Sequence, residues 1–223
     1  MFIKSLATFS DDEQLKEWMP LAQNNQINGC YAQTELGHGS NVAGLETLAE
    51  FDQTTDEFVL NTPTVTSTKF WPGDMGFNSN FAIVFAQLVI HGKKFGVQPF
   101  LVQIRSREDH SHMPGVESGD IGAKVGYISK ENGWMSLKNV RIPRKQMLMR
   151  FCHVDREGKF EVRGDIRVLY STMLYIRVML IKTSAKFLFN ALTIALRYAA
   201  VRRQFSTLPD SKQERRLIDY QTH

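Results

Sequence analysis

The sequence predicts an α+β fold in which an antiparallel β-barrel or sandwich forms the middle domain between two helical segments. Three observations carry that prediction. Between Asn28 and Cys152, short runs rich in β-branched and aromatic residues alternate with turn chemistry, and no helical stretch intervenes. After Gly164 the chain has no further glycine, and Val178, Ile181, Leu188, Leu192, Ala195 and Ala199 recur at spacings of three, four or seven. Ahead of the β region, Asp11 and Asp12 can cap a helix that carries Leu15, Trp18 and Met19 towards a core. The resulting division is residues 1–27 as the end of an N-terminal helical domain and 28–152 as the β domain. Residues 153–168 are a linker, and 169–223 open a C-terminal helical bundle.

Within this frame each element has its own signal. Pro20 marks a bend or a new helix start. Residues 46–51 suit a half-buried strand, and Asp52-Gln53-Thr54-Thr55-Asp56 joins it to the next. Further strands are expected at residues 64–68, 81–90 and 99–105. His91-Gly92-Lys93-Lys94 and Asp155-Arg156-Glu157-Gly158 read as turns, and Asn132-Gly133 reads as a hairpin. A long helix is expected over residues 170–204. Pro209 breaks the chain, and Asp210 or Ser211 can cap a second helix.

Composition excludes several classes. With 43% hydrophobic and 22% charged residues, the 223-residue chain can bury a sizeable core. The net charge of +4 is mild, and its densest cluster is Arg202, Arg203, Lys212, Arg215 and Arg216. No stacking aromatics interleave with it, so no nucleic-acid partner is expected. The charge suits a phosphate-rich small ligand. Two distant cysteines, Cys30 and Cys152, do not make a disulfide scaffold and fit a reducing compartment. The N-terminus lacks the pattern of a signal peptide. The most membrane-like window, residues 178–196, contains Lys182, Lys186 and Asn190. Each central lysine would cost roughly 2.5–3.5 kcal/mol on insertion, so the window reads as a buried helix of a soluble protein, not a membrane span. His110-Ser111-His112 has no third ligand at useful spacing, and no metal site is expected.

The Gly-rich segment Gln33-Thr34-Glu35-Leu36-Gly37-His38-Gly39-Ser40-Asn41 is neither a Rossmann fingerprint nor a P-loop. Its third glycine is misplaced, and no Gly-Lys-Ser/Thr follows. Thr34 and Ser40 nevertheless add hydroxyls, and the glycines leave backbone N–H groups open to an anion.

With its flanks, Gly29-Cys30-Tyr31-Ala32 before it and Val42 after it, this segment resembles the signature of the acyl-CoA oxidases, peroxisomal relatives of the acyl-CoA dehydrogenases. The resemblance continues in order through Gly44-Leu45-Glu46-Thr47, Thr68-Lys69-Phe70-Trp71-Pro72-Gly73, Gly119-Asp120-Ile121-Gly122, Asn139-Val140-Arg141-Ile142-Pro143-Arg144 and Met147-Leu148-Met149-Arg150. It ends with Ile194-Ala195-Leu196-Arg197-Tyr198, Val201-Arg202-Arg203-Gln204-Phe205 and Leu217-Ile218-Asp219-Tyr220-Gln221.

The resemblance implies FAD as cofactor, bound by residues 28–152. Fatty acyl-CoA and molecular oxygen are the implied reactants, with a homodimeric assembly and a peroxisomal location. Thr34 matches the threonine whose hydroxyl hydrogen-bonds the flavin near its reactive edge. Trp71 matches the aromatic packed against the isoalloxazine, and Gly73 a glycine whose backbone approaches the cofactor. Ser40 matches a position on the CoA side of the substrate, and Arg177 an arginine on the substrate side. Arg202 matches the arginine that reaches across a dimer interface to the FAD pyrophosphate of the partner subunit, where a guanidinium fork suits a diphosphate. On one helix Arg177 and Arg202 would stand roughly 37 Å apart, too far to grip one phosphate.

Two positions depart from the family pattern: Phe70 replaces a frequent tryptophan and Asp74 a frequent glycine. A carboxylate at Asp74 would disfavour reduction of a nearby flavin. The family's glutamate base lies beyond the block matching Leu217 to Gln221, so no catalytic residue is assigned in this chain, and residues 1–223 alone are expected to be inactive. Were another carboxylate to act as base, Glu35 would be the first suspect. The competing expectations are an acyl-CoA dehydrogenase with a protein electron acceptor, and a degenerate, non-catalytic flavin-binding homologue. The Gly-His-Gly loop and the Arg-Ile-Pro-Arg segment favour the oxidase.

Overall fold

Phe81–Ile90 is buried at every position, and this strand organises the chain's larger unit. Its alternate side chains serve two cores. Ala82, Val84, Ala86, Leu88 and Ile90 pack with Phe58, Leu60, Phe100 and Met135, while Phe81, Ile83 and Phe85 pack against Phe2, Leu6 and Phe9. A strand covered on both faces reads as an unbroken apolar run.

The computed structural model describes residues 1–165, 167–168, 171–206 and 212–221. Two compact units emerge, Met1–Thr172 and Met173–His223. The first opens with helices α1 (Phe2–Phe9) and α2 (Asp12–Gln23). Strands β1 (Gly29–Ala32), β2 (Leu48–Asp52), β3 (Glu57–Asn61), β4 (Lys69–Gly73), β5 (Phe81–Ile90) and β6 (Lys93–Gln103) follow. Then come β7 (Val116–Asp120), β8 (Asn132–Leu137), β9 (Val140–Pro143), β10 (Cys152–Val154) and β11 (Phe160–Val162). Helix α3 (Ser171–Val201) dominates the second unit.

The expected antiparallel barrel or sandwich is corrected by the pairing. One six-stranded sheet runs β1-β5-β2-β3-β9, with β6 also on β5. In it β1 and β2 both lie parallel to β5, in registers Gly29↔Phe81 and Leu48↔Gln87, while the other pairs are antiparallel. The sheet is therefore mixed. The reason is length: β5 has ten residues, so the short β1 and β2 share one of its edges in tandem. A three-stranded antiparallel sheet, β4-β8-β7, and the β10-β11 hairpin complete the unit.

Local turn chemistry holds where it acts alone. His91 and Gly92 take φ of 49° and 74° between β5 and β6, the left-handed pair that a two-residue hairpin needs. Residues 53–56 join β2 to β3, and residues 155–159 join β10 to β11. Three other expectations are corrected. Residues 64–68 form a turn, not a strand: the Ser67 hydroxyl donates to Thr64 O at 2.7 Å, and Thr66 and Thr64 hydroxyls reach Glu46. Hydroxyl bonding of this kind competes with a β ladder. Asn132-Gly133 opens β8 and is not a hairpin turn; a Cβ on Gly133 would lie 2.4 Å from Gly76 N, so close packing selects the glycine. Pro20 lies inside α2. The helix continues past it to Gln23; its first turn is fixed by an Asp11–Gln14 capping box, and Gln14 is pinned to the β unit. The Gln14 amide donates to Lys145 O and Met147 O at 2.7 and 2.6 Å and accepts from Met149 N at 3.1 Å.

Cys30 and Cys152 are buried free thiols. Burial pushes Cys30 up to about 12 and raises Cys152 as well. Because the thiolate is the reactive form, neither cysteine should react with a disulfide reagent at pH 8 in the native protein, and both should react in denaturant. Rapid labelling of either thiol before unfolding would contradict this packing.

In the second unit α3 follows the expected helical span. Its apolar side chains, Leu174, Val178, Ile181, Leu188 and Ile194 among them, are exposed, so the expected buried helix is not observed. Val178, Met179, Leu180 and Ile181, four consecutive exposed residues, go round the helix instead of forming one stripe. Residues 173–201 are long and apolar enough to cross a membrane by length and composition, with Lys182 and Lys186 within them. Pro209, Asp210 and Ser211 lie outside the described residues. The expected second helix is absent from residues 212–221, which hold only a 3-10 turn at Leu217–Asp219. Their backbone is committed elsewhere: Gln204 N donates to Arg215 O, Arg215 N to Phe205 O, and Leu217 N to Arg202 O, all at 2.8–2.9 Å.

Candidate functional site

The loop that leaves β1 lies alongside the segment that enters β4. Leu36 N donates to Thr68 O and Gly37 N to Thr66 O at 2.9 Å, and Phe70 N donates to Thr34 O at 3.0 Å. A Cβ on Gly37 would stand 2.8 Å from Thr66 Cβ, so this approach needs glycine. The sequence-predicted Thr34, Trp71 and Gly73 are thereby carried on adjoining backbone.

Between them sits a buried ion pair. Lys69 Nζ lies 2.9 Å from Glu35 Oε1, and both side chains are fully buried. Lys69 also donates to Phe85 O at 2.6 Å and Gln33 O at 3.3 Å. Glu35 accepts from Glu46 N at 2.7 Å, Thr47 N at 3.0 Å and the Thr47 hydroxyl at 2.5 Å. Burial pushes Lys69 down to about 8, with Glu35 holding it up in part. Glu35 is thus a saturated carboxylate with no open face, which corrects its standing as first suspect for a general base. A usable base must come within hydrogen-bond reach of the proton that it takes.

Other groups of the same segments face outward. The Thr34 side chain is partly buried, and its hydroxyl has no partner among the described residues. Trp71 is 52% exposed and sits at φ 81°, an unusual backbone for a bulky residue. The strain is held in place by Asn132, whose amide donates to Trp71 O at 2.7 Å, and by the irregular β4–β8 register between Phe70 and Gly73. Phe70 meets Trp71 edge-on at 5.9 Å. A Cβ on Gly73 would meet Lys130 Cε at 2.6 Å. Asp74 takes φ 67°, and its carboxylate pairs with Lys130, which offsets the charge that this departure introduces.

Phe70, Trp71, Ile121, Val125, Tyr127 and Lys130 line an open cleft of about 700 Å³. Its lining is mostly apolar, with Val125 and Tyr127 exposed beside Lys124 and Lys130. A flat aromatic ligand could lie against this wall, where offset stacking adds about 0.5–1.5 kcal/mol beyond burial.

The remaining predicted residues belong to other segments of the chain. Ser40 is exposed further along the loop, its carbonyl accepting from Val42 N at 3.0 Å. Arg177 is exposed on α3 in the second unit. Arg202 follows the last residue of α3 in the same unit, its amide donating to Tyr198 O at 2.8 Å. Arg203 donates to Glu214 O, Arg215 to Asp219 O, and Arg216 pairs with Asp219. The Arg202 guanidinium, by contrast, has no partner among the described residues.

Comparison with known proteins bears on this arrangement directly. Residues 170–223 match the model of the acyl-CoA oxidase C-alpha1 domain. The whole chain is 49% identical to peroxisomal acyl-coenzyme A oxidase 1 of Arabidopsis thaliana and 45% identical to that of Rattus norvegicus, covering 34% and 33% of those proteins. An acyl-CoA oxidase from Lycopersicon esculentum (tomato) matches the whole fold with a TM-score of 0.93 at 50% identity, over 34% of its length. Acyl-CoA oxidase-2 of Caenorhabditis elegans, solved with FAD, ascaroside-CoA and ATP, gives 0.92 at 44%, again over this entire chain and 33% of its own. The chain belongs to the acyl-CoA oxidase family. It spans about a third of the length of the curated oxidases that it matches. The C-alpha1 match places α3 in a helical domain of the oxidase family, not in a membrane span.

Sequence reasoning did not single out Lys69, Lys130 and Asn132 in this oxidase segment. Lys69 stood inside a family block between Thr68 and Phe70, where its burial had no local signal. Asn132-Gly133 has turn composition, while the role of Asn132, a side-chain bond to Trp71 O, is non-local.

Proposed function

We propose that this chain is the flavin-facing part of an FAD-dependent acyl-CoA oxidase. The reaction oxidises a fatty acyl-CoA to the trans-2-enoyl-CoA and reduces O2 to H2O2, the first step of peroxisomal fatty acid β-oxidation. The observation that carries this reading is the Thr34 hydroxyl, without a partner among the described residues, on backbone adjoining Trp71, which walls an apolar cleft. These residues fit a flat, hydrogen-bonding ring system: Trp71 and Tyr127 offer apolar surface, and Thr34 offers a donor.

Bound FAD would accept the substrate's β-hydride and pass the electrons to oxygen. Thr34 supplies a fixed donor to the charge that builds up in the ring as the hydride arrives. Gly73 is the point where the backbone would approach the cofactor, and Trp71 gives the ring an apolar wall. Ser40 faces the CoA side and Arg177 the substrate. The Arg202 fork, without a partner among the described residues, is suited to a diphosphate, and in a homodimer it would hold the FAD pyrophosphate of the partner subunit. The acid–base glutamate is assigned to no residue of this chain. The location is peroxisomal.

The test uses the full-length protein. Under argon, a fatty acyl-CoA should bleach the flavin, and air should restore it with one H2O2 formed per enoyl-CoA. Bleaching with slow reoxidation by air would assign a dehydrogenase instead. A protein without flavin would be the degenerate homologue.

A further inference from the structure

We propose that Glu35 and Lys69 are a positioning pair that fixes the Thr34 hydroxyl relative to Trp71, and so governs the rate of flavin reduction without touching flavin or substrate. The proposal rests on the flavin reading above. Lys69 brackets Thr34. Its ammonium donates to Gln33 O, one residue before, and to the Glu35 carboxylate, one residue after. Lys69 also begins β4, two residues ahead of Trp71. Its third bond, to Phe85 O, ties this bracket to the central strand. Glu35 extends the tie to the amides of Glu46 and Thr47. The Thr34 carbonyl is itself engaged by Phe70 N, so the backbone on both sides of Thr34 is held while its hydroxyl has no partner among the described residues.

Stability does not account for such a pair. Replacing a buried ion pair by apolar residues of similar volume is often neutral or stabilising, because desolvation consumes the Coulombic gain. Five directional bonds to Lys69 and Glu35, beside the ion pair itself, supply what an apolar pair cannot, a defined geometry. In catalysis a displacement of about 1 Å can cost about a hundredfold.

The experiment compares the full-length, FAD-loaded wild type with Glu35→Leu/Lys69→Met and, as a gentler change, Glu35→Gln. Each is also combined with Thr34→Val. Flavin content, the flavin absorbance spectrum, kcat, KM for acyl-CoA and the anaerobic rate of flavin reduction are measured. The expected result is that pair variants that hold FAD show a shifted flavin spectrum, an unchanged KM and reduction slowed about ten- to a hundredfold. Thr34→Val should then cost less in the pair variants than in the wild type, since the pair acts through Thr34. If the double variant does not fold, Glu35→Gln carries the same readouts. Wild-type reduction rates in a FAD-bearing pair variant, or full additivity with Thr34→Val, would overturn the proposal alone. A wild-type protein without flavin would overturn the reading beneath it.

Discussion

Arg105→Met is expected to destabilise the β unit by about 3–5 kcal/mol, the cost of stripping a buried, multiply bonded charge from its acceptors. Arg105 is 3% exposed. Its guanidinium donates to Ser79 O at 2.6 Å, Met75 O at 3.0 Å, Gly76 O at 2.6 Å and Ser118 Oγ at 2.6 Å. One side chain therefore satisfies three carbonyls of the loop between β4 and β5 and ties that loop to β7. Methionine fills the volume and bonds none of them. Arg105→Lys should recover less than half the loss, because a single ammonium cannot span the set. The loop follows directly on Gly73 and Asp74, so FAD retention should fall along with stability. Chemical unfolding of the full-length protein measures this; a loss under about 1 kcal/mol would mean that water replaces the arginine at little cost.

How much of this could be read from the sequence depends on whether the deciding interaction is local. The long strand was legible because a strand buried on both faces has no polar alternation to obscure it. The turn at His91-Gly92 was legible because two left-handed residues settle it. The parallel placement of β1 and β2 was not, since an edge shared in tandem on β5 leaves no mark in either short strand. Residues 64–68 have strand composition, yet their hydroxyls bond the backbone and Glu46 instead. Helix α3 shows its period but not what covers it. For the site, Thr34, Trp71 and Gly73 came from family blocks, and the structure brings their backbones together. Ser40 lies farther along the loop, and Arg177 and Arg202 belong to the second unit. Lys69 was hidden because lysine is ordinarily a surface residue, and only the long-range contact with Glu35 makes its burial affordable.

Thr34→Val is expected to slow flavin reduction by about 10²–10³-fold, the usual cost of removing one fixed donor from developing negative charge. Valine keeps the shape of threonine and removes only the hydroxyl, whose hydrogen bond no described residue uses. The fold should be unaffected, because the bond to Phe70 N comes from the Thr34 carbonyl. Lys94→Ala, at an exposed position beyond the β5–β6 turn, is the matched control. The decisive measurement is the anaerobic rate at which a fatty acyl-CoA bleaches the flavin of full-length wild type, Thr34→Val and Lys94→Ala. This account predicts a rate reduced about a hundredfold or more in Thr34→Val alone; equal rates and equal flavin content in all three proteins would contradict it.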